Sequence, residues 1–519
     1  MSLRSRLRAA PVSAAVAVLL ASALGPAALR PAAAEPLATS LRAFVERPDF
    51  ARATWGVSVQ DAATGLVLFE TNSHRLLKPA SNAKLFTGAL ALHTLGPDSR
   101  LATELIPAGP ISRRGVLRGN LVIRGLGDFS LASRFRPDSP TQSLQSVVRT
   151  LREAGLRRVD GDLVADDAFF QGPPYGTGWT QDDLRYEYGA EVSALSLDDN
   201  VVTLEFRPGA APGDPVRWLP SPGASYFRID FDQLVTAPTS AVGQVRTERM
   251  PGLRNLRISG RLPAGSEPWK EVVPVPEPAL FFVHRLRESL IEAGIPVTGR
   301  PRRATETDTE ISDTAARVLP SWPARISISS PPMSVLVAGM MKPSQNLYAQ
   351  MLLLQVGARS TPAFDASPNT PTTEEAGILA LRDFLQHAGI PTEEVRLDDG
   401  SGLSRSSLVT PSAIVALLRF MDRHPHRDAF LASLPIAGQD GTLRRRLIGT
   451  PLAGQLQAKT GSLRYVNTLS GFLVHPEGRR LVFSAMLEAY SPLPAQPSGR
   501  EALDALVTRL AQSSLPESL

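Results

Sequence analysis

The stretch Pro79-Ala80-Ser81-Asn82-Ala83-Lys84-Leu85-Phe86-Thr87 decides how the rest of the chain is read. It contains Ser-x-x-Lys, and the residues behind it, 88–95 (GALALHTL), are apolar enough for a buried helix. If Ser81 opens that helix, Lys84 lies nearly one turn on and on the same face, within reach of the hydroxyl. A serine hydroxyl becomes a useful nucleophile only when a base takes its proton, and a helix N-terminus stabilises the alkoxide that forms. The spacing makes Ser81 a candidate nucleophile and a neutral Lys84 its candidate base. Alone, the pair is more often the mark of a capped core helix with a surface lysine, because N-capping serines are common.

Two further stretches change that balance. Met341-Lys342-Pro343-Ser344-Gln345-Asn346 precedes an apolar helical run, 347–354. Ala458-Lys459-Thr460-Gly461-Ser462 precedes an alternating, strand-like segment, 465–474. Ser-x-x-Lys, Ser-x-Asn and Lys-Thr-Gly, in this order, resemble the signature of penicillin-binding proteins and serine β-lactamases. Lysine usage points the same way. The chain has five lysines (Lys78, Lys84, Lys270, Lys342, Lys459) among 55 basic residues, and three of them stand in the motifs. Arginine keeps its proton and cannot act as a base, whereas a desolvated lysine can.

At 519 residues the chain is too long for one core, so two or three domains are expected. It has no cysteine, which excludes disulfides and Cys-ligated metal. Residues 1–34 read as an export signal. Arg4, Arg6 and Arg8 form its basic region, 12–24 its apolar stretch, and Ala32-Ala33-Ala34 its cleavage site before Glu35. The apolar stretch is short for a spanning helix, and no later segment is apolar enough to cross a bilayer. The mature chain is therefore expected outside the cytoplasm, in the periplasm or an equivalent space. The net charge of +5 falls to +1 without the four arginines of 1–34, so nothing supports nucleic-acid binding.

Beyond the leader, 55–69 reads as a hairpin turning at Ala62-Ala63-Thr64-Gly65. Ser81 and Ser344 are 263 positions apart, and Ser344 and Lys459 only 115, so domains are expected within the first gap. That insertion reads as β-rich, with alternating strands at 117–123 and 201–206 and further candidates at 226–234 and 253–262. It contains one clear helix, at 279–293. Segments 300–324 and 359–373 read as exposed connections. Helices are expected at 374–388, 411–421 and 502–512, the last packing on the catalytic sheet. His424-Pro-His426 reads as a solvated turn, and no metal or other cofactor is expected.

At these residues the chain resembles the class C low-molecular-mass penicillin-binding proteins, the group of D-alanyl-D-alanine carboxypeptidases and endopeptidases around penicillin-binding protein 4. The resemblance includes Gly125-Leu126-Gly127-Asp128, Trp179, Tyr188 to Leu195 (YGAEVSAL), Asp399-Gly-Ser-Gly-Leu403-Ser-Arg405, Leu434 to Gly438 (LPIAG), Asp440-Gly-Thr-Leu443 and Leu469-Ser-Gly471. The family more often has Asp where Gln345 stands and Pro where Phe129 stands.

The resemblance implies an α/β (α+β) protein. Its penicillin-binding/β-lactamase-like transpeptidase domain would be an antiparallel sheet flanked by helices, formed by 35–101 and 335–519. Two nested β-rich domains would be inserted: one from 102–126 and 217–334, the other from 127–216. It implies acyl transfer on peptidoglycan stem peptides ending in D-Ala-D-Ala, with β-lactams as covalent inhibitors. Ser81 would attack, with Lys84 and Ser344 moving protons. Asn346 would bind the acyl amide, and Lys459, Thr460, Gly461 and Ser462 the terminal carboxylate. Backbone N–H groups of Ser81 and of the strand near Ser462 would hold the oxyanion. A Ser-His-Asp hydrolase is disfavoured, because none of the seven histidines accompanies a nucleophile-elbow pattern. A β-lactamase or a catalytically silent wall-binding protein remain the alternatives.

Overall fold

The computed structural model describes residues 35–135, 143–219, 221–250, 252–305, 325–360 and 370–516. The expected leader lies outside them, as do most of the two expected exposed connections. The hairpin forms from Thr54–Asp61 and Val67–Thr71, paired antiparallel. Its turn is made locally: Asp61 Oδ1 accepts the backbone N–H groups of Ala63 and Thr64 at 3.1 and 2.9 Å. Gly65 then takes φ +82°, open to glycine without strain.

Three strands from the far end of the chain complete an antiparallel sheet in the order Leu456–Leu463, Val466–Val474, Arg480–Glu488, Thr54–Asp61, Val67–Thr71. Its middle strand is buried on both faces. Val482 and Met486 point into one core, and Leu481, Phe483, Ala485 and Leu487 into another. This is the period of two of a pleated strand, hidden in a continuous apolar run because both faces are covered. Helices Leu37–Val45 and Gly499–Gln512 cover one face through Leu41, Phe44, Leu503 and Leu506. On the other face lie Ala83–Leu95 and Pro411–Asp422, backed by Met333–Met341, Asn346–Ser360 and Thr373–His387. Residues 83–92 are all buried, as expected of a helix apolar on every side.

The insertion contains a five-stranded sheet ordered Pro301–Arg303, Leu163–Asp166, Asn120–Gly125, Ala102–Ala108, Ile326–Ser329. Two three-stranded sheets follow, Arg228–Ala237 with Asn255–Pro263 and Gln244–Glu248, and Trp269–Pro274 with Val201–Arg207 and Arg217–Leu219. These sheets divide the insertion differently from the boundaries expected at 126/127 and 216/217. Leu163–Asp166 falls in the segment expected to be nested, yet it pairs in parallel with both Asn120–Gly125 and Pro301–Arg303. Parallel partners are distant in sequence, so strand alternation alone does not reveal them. Pro301–Arg303 is also a strand rather than part of an exposed connection. Among the described residues no helix is long and apolar enough to cross a membrane.

Candidate active site

Ser81 lies in a single 3-10 turn, Ala80–Asn82, immediately before the helix that begins at Ala83. Ser81 therefore precedes the helix, and Lys84 occupies its first turn. Two bonds fasten this turn to the sheet: Asn82 Nδ2 donates to Ser470 Oγ at 2.7 Å, and Thr468 Oγ1 donates to the Pro79 carbonyl at 3.0 Å. Ala80 is held at φ +47°, a left-handed conformation costing an alanine about 1–3 kcal/mol, and such strain collects at active sites.

Lys84 is fully buried, and its Nζ lies 2.9 Å from Ser81 Oγ, 2.6 Å from Asn346 Oδ1 and 2.8 Å from the Ser401 carbonyl. Burial pulls its pKa down to about 7, against the opposing pull of the Asp399 carboxylate. The Asn346 amide has a defined orientation, because its Nδ2 donates to the Tyr188 carbonyl at 3.0 Å. Asn346 Oδ1 and Ser401 O can only accept. A neutral Lys84 gives its two N–H bonds to them and turns its lone pair toward the Ser81 hydroxyl.

Lys459 is also fully buried and donates to Ser344 Oγ at 2.7 Å and to the Thr460 carbonyl at 2.8 Å. Burial, and then the charge of Lys84, press its pKa well below that of an ordinary lysine. Ser344 stands at φ +67° between helices Met333–Met341 and Asn346–Ser360, a second left-handed non-glycine residue at the site. Thr460 Oγ1 donates to Thr442 Oγ1 at 2.8 Å, and Ser462 is exposed. Both belong to Leu456–Leu463, the outermost strand of the sheet. Residues 435–437 cover its free edge only as far as Ala458, through Ala437 N–H to Leu456 O and Ala458 N–H to Pro435 O. At Gly461 a methyl group would sit 3.0 Å from the Ser81 nitrogen and 2.9 Å from the Pro79 carbonyl. The strand approaches the Ser81 backbone as only glycine permits.

Six of the eight residues singled out from sequence thus form two hydrogen-bonded groups, Ser81–Lys84–Asn346 and Ser344–Lys459–Thr460, and Gly461 packs against the Ser81 backbone. Lys342 stands apart. It donates to the Leu434 carbonyl at 3.0 Å and pairs with Asp440. Sequence reasoning assigned no role to Ser401, Asp399 or Tyr188, although their motifs were recognisable. Two of them act through backbone carbonyls, which side-chain patterns do not disclose. His424-Pro-His426 forms a turn, as expected, with His424 partly covered in it. His424 packs in a half-buried cluster, 3.0 Å from His93 Nδ1 and beside His426.

The sequence pattern of the D-Ala-D-Ala carboxypeptidase 3 (S13) family matches residues 37–510. A D-alanyl-D-alanine carboxypeptidase of Actinomadura sp. (strain R39) is 32% identical over 92% of this chain and 84% of its own. Penicillin binding protein 4 (dacB) of Haemophilus influenzae superposes with a TM-score of 0.73 at 25% identity, over 91% of this chain and 98% of that one. Its structure in complex with a β-lactam gives 0.69 at 24%, with the same coverage. With the fold and nearly the whole length in agreement, the chain belongs to the D-Ala-D-Ala carboxypeptidase 3 (S13) family.

Proposed function

We propose that this protein carries out its family's reaction, serine D-Ala-D-Ala carboxypeptidase chemistry, with Ser81 as nucleophile and Lys84 as base. The observation that carries this reading is the buried Lys84 amine, 2.9 Å from Ser81 Oγ, with its pKa drawn down to about 7. Neutral Lys84 takes the Ser81 proton as Oγ attacks the carbonyl between the two D-Ala residues of a stem peptide. The Ser81 N–H and the strand at 461–462 bound the space for the oxyanion. The Ser344–Lys459 pair supplies a proton to the departing amine, D-Ala leaves, and water hydrolyses the ester at Ser81. Asn346, Lys459, Thr460, Gly461 and Ser462 line the substrate's path, the last four on a free sheet edge suited to an extended peptide. A β-lactam carbonyl enters the same steps, and its opened ring stays attached, so the covalent adduct persists.

Labelled penicillin tests this reading. The label should map by mass to Ser81 and vanish in Ser81→Ala; attachment elsewhere refutes the assignment. Endopeptidase cleavage uses the same bond type beside a D-Ala carbonyl, and single-turnover assays on a pentapeptide and a cross-linked dimer separate the two activities. We propose that residues 1–34 direct export, so that protein recovered outside the cytoplasm begins at Glu35; recovery beginning at Met1 would instead indicate a retained leader. We also propose that the nested part of the insertion spans 201–274, a division supported by the strand pairing described above.

A further inference from the structure

We propose that the inserted region completes the catalytic base. Its Trp179 and Tyr188 set, through Asp399 and Asn346, the two acceptors that leave the Lys84 lone pair facing Ser81. The proposal rests on Lys84 being the base.

Lys84 Nζ has three neighbours, and only Ser81 is a reacting group. Each of the other two is oriented from the insertion. The Tyr188 carbonyl accepts from Asn346 Nδ2, which turns Oδ1 toward Lys84. The Ser401 carbonyl is presented by the tight turn 399–403, which is wound around the fully buried Asp399 carboxylate. That carboxylate accepts backbone N–H bonds from Ser401, Gly402 and Leu403 at 3.2, 3.1 and 3.3 Å, and the Ser401 hydroxyl. Its further donor is Trp179 Nε1 at 2.9 Å, which reaches in from the insertion.

The turn is held from a second side by a chain whose sense is set at its far end. Glu374 accepts from Thr177 N–H at 3.1 Å and from the Thr177 hydroxyl at 2.6 Å. It also accepts from Gln350 Nε2 at 2.6 Å, which leaves Gln350 Oε1 to accept the Gly400 N–H at 2.9 Å. Thr87, on the helix that carries Lys84, donates to the Gly400 carbonyl at 2.6 Å. At Gly402 a Cβ would lie 1.9 Å from the carbonyl of Ala80, the residue before the nucleophile, so the turn also seats Ser81. Residues 177–179 thus brace the turn at Asp399 and at Gly400. Asp399 and Trp179 are positioning residues: neither touches the substrate, and both act through Lys84.

Their roles have opposite electrostatic signs, and that makes the proposal testable. The Asp399 charge favours the Lys84 ammonium, whereas the Trp179 donor dilutes that charge. The measurement is the pH profile of acylation by a fluorescent penicillin, which carries no stem peptide and so leaves peptide recognition out. Asp399→Asn should move the acidic limb about one pH unit lower, because the amine loses the charge that holds its proton. Trp179→Phe keeps the ring and removes the donor, and should move the limb higher. Trp218→Phe, the same change on the strand Arg217–Leu219, should leave it in place. Circular dichroism and thermal melts establish that each variant is folded.

Limbs that stay put, or that move in the same direction, overturn the proposal. If Asp399→Asn does not fold, the direction of the Trp179→Phe shift decides alone. Acylation of Lys84→Arg at the parental rate overturns the base assignment and this proposal with it. Parental dependence on Lys84 with unmoved limbs overturns only the coupling to the insertion.

Discussion

At the scale of single residues, the proposed chemistry rests on one lysine losing its proton. An ordinary lysine near about 10.4 is protonated at neutral pH. Lys84 differs because it is wholly desolvated, with the Asp399 carboxylate opposing the shift. Only its neutral form accepts the Ser81 proton, so acylation should fall about tenfold per pH unit below about 7 and level off above it. Rates of penicillin acylation across pH 5 to 8 check this; a flat profile would contradict it. Lys84→Arg retains a cation and loses the base, and should slow acylation at least ~100-fold. The larger guanidinium must also fit a fully buried site, so this variant should melt below the parent. Lys78 is partly exposed and pairs with Glu488, and Lys78→Arg should stay within a few-fold of the parental rate.

At the scale of elements, the proposed site is built where a strand edge meets a helix N-terminus. Gly461 is where they meet. Gly461→Ala would place a methyl 2.2 Å from Thr468 Oγ1 and 3.0 Å from the Ser81 nitrogen. The strand must retreat from the nucleophile, and a misplacement on the order of 1 Å costs about a hundredfold in rate. We expect this variant to bind penicillin covalently at Ser81 about a hundredfold more slowly while melting within a few degrees of the parent. A parental rate would show that the strand does not bound the oxyanion. The elements themselves were mostly readable in sequence. The hairpin at 54–71 and the helices at 278–292, 373–387 and 411–422 formed close to where apolar spacing placed them. Met333–Met341 was not read: its buried residues Met333, Leu336, Val337, Met340 and Met341 do fall at helical spacing, but Val335 and Ala338 on the other side are apolar too and blur the stripe.

At the scale of the whole molecule, the insertion is one packed body rather than a string of separate modules. Leu105 and Ile123 of the five-stranded sheet, Phe206 and Ile258 of the three-stranded sheets, and Phe281 and Phe282 of Pro278–Glu292 share a single core. Phe206 is fully buried there, and Phe206→Ala should cost about 3–5 kcal/mol. Differential scanning calorimetry should show a lower melting temperature. Folded protein should still acylate at Ser81 at close to the parental rate, because Phe206 lies in a different core from the helix that carries Lys84. An unchanged melt would mean that the three-stranded sheets are not part of this cooperative core.

The sequence by itself determined which side chains are the candidates for reaction. Three short motifs, kept in order and each carrying a lysine or serine chemistry, named Ser81, Lys84, Ser344, Asn346 and Lys459, because reactivity needs particular side chains at particular local spacings. It could not determine where the sheets join. Leu163–Asp166 lies between two parallel partners more than a hundred residues apart from each other, a pairing that leaves no local trace. Only the tertiary structure decided what surrounds Lys84. Its acceptors and opposing charge come from Asn346, Ser401 and Asp399, hundreds of positions away, and one of them is a backbone carbonyl that every residue type possesses. A proton's affinity depends on burial and on nearby dipoles, and those are properties of the folded chain.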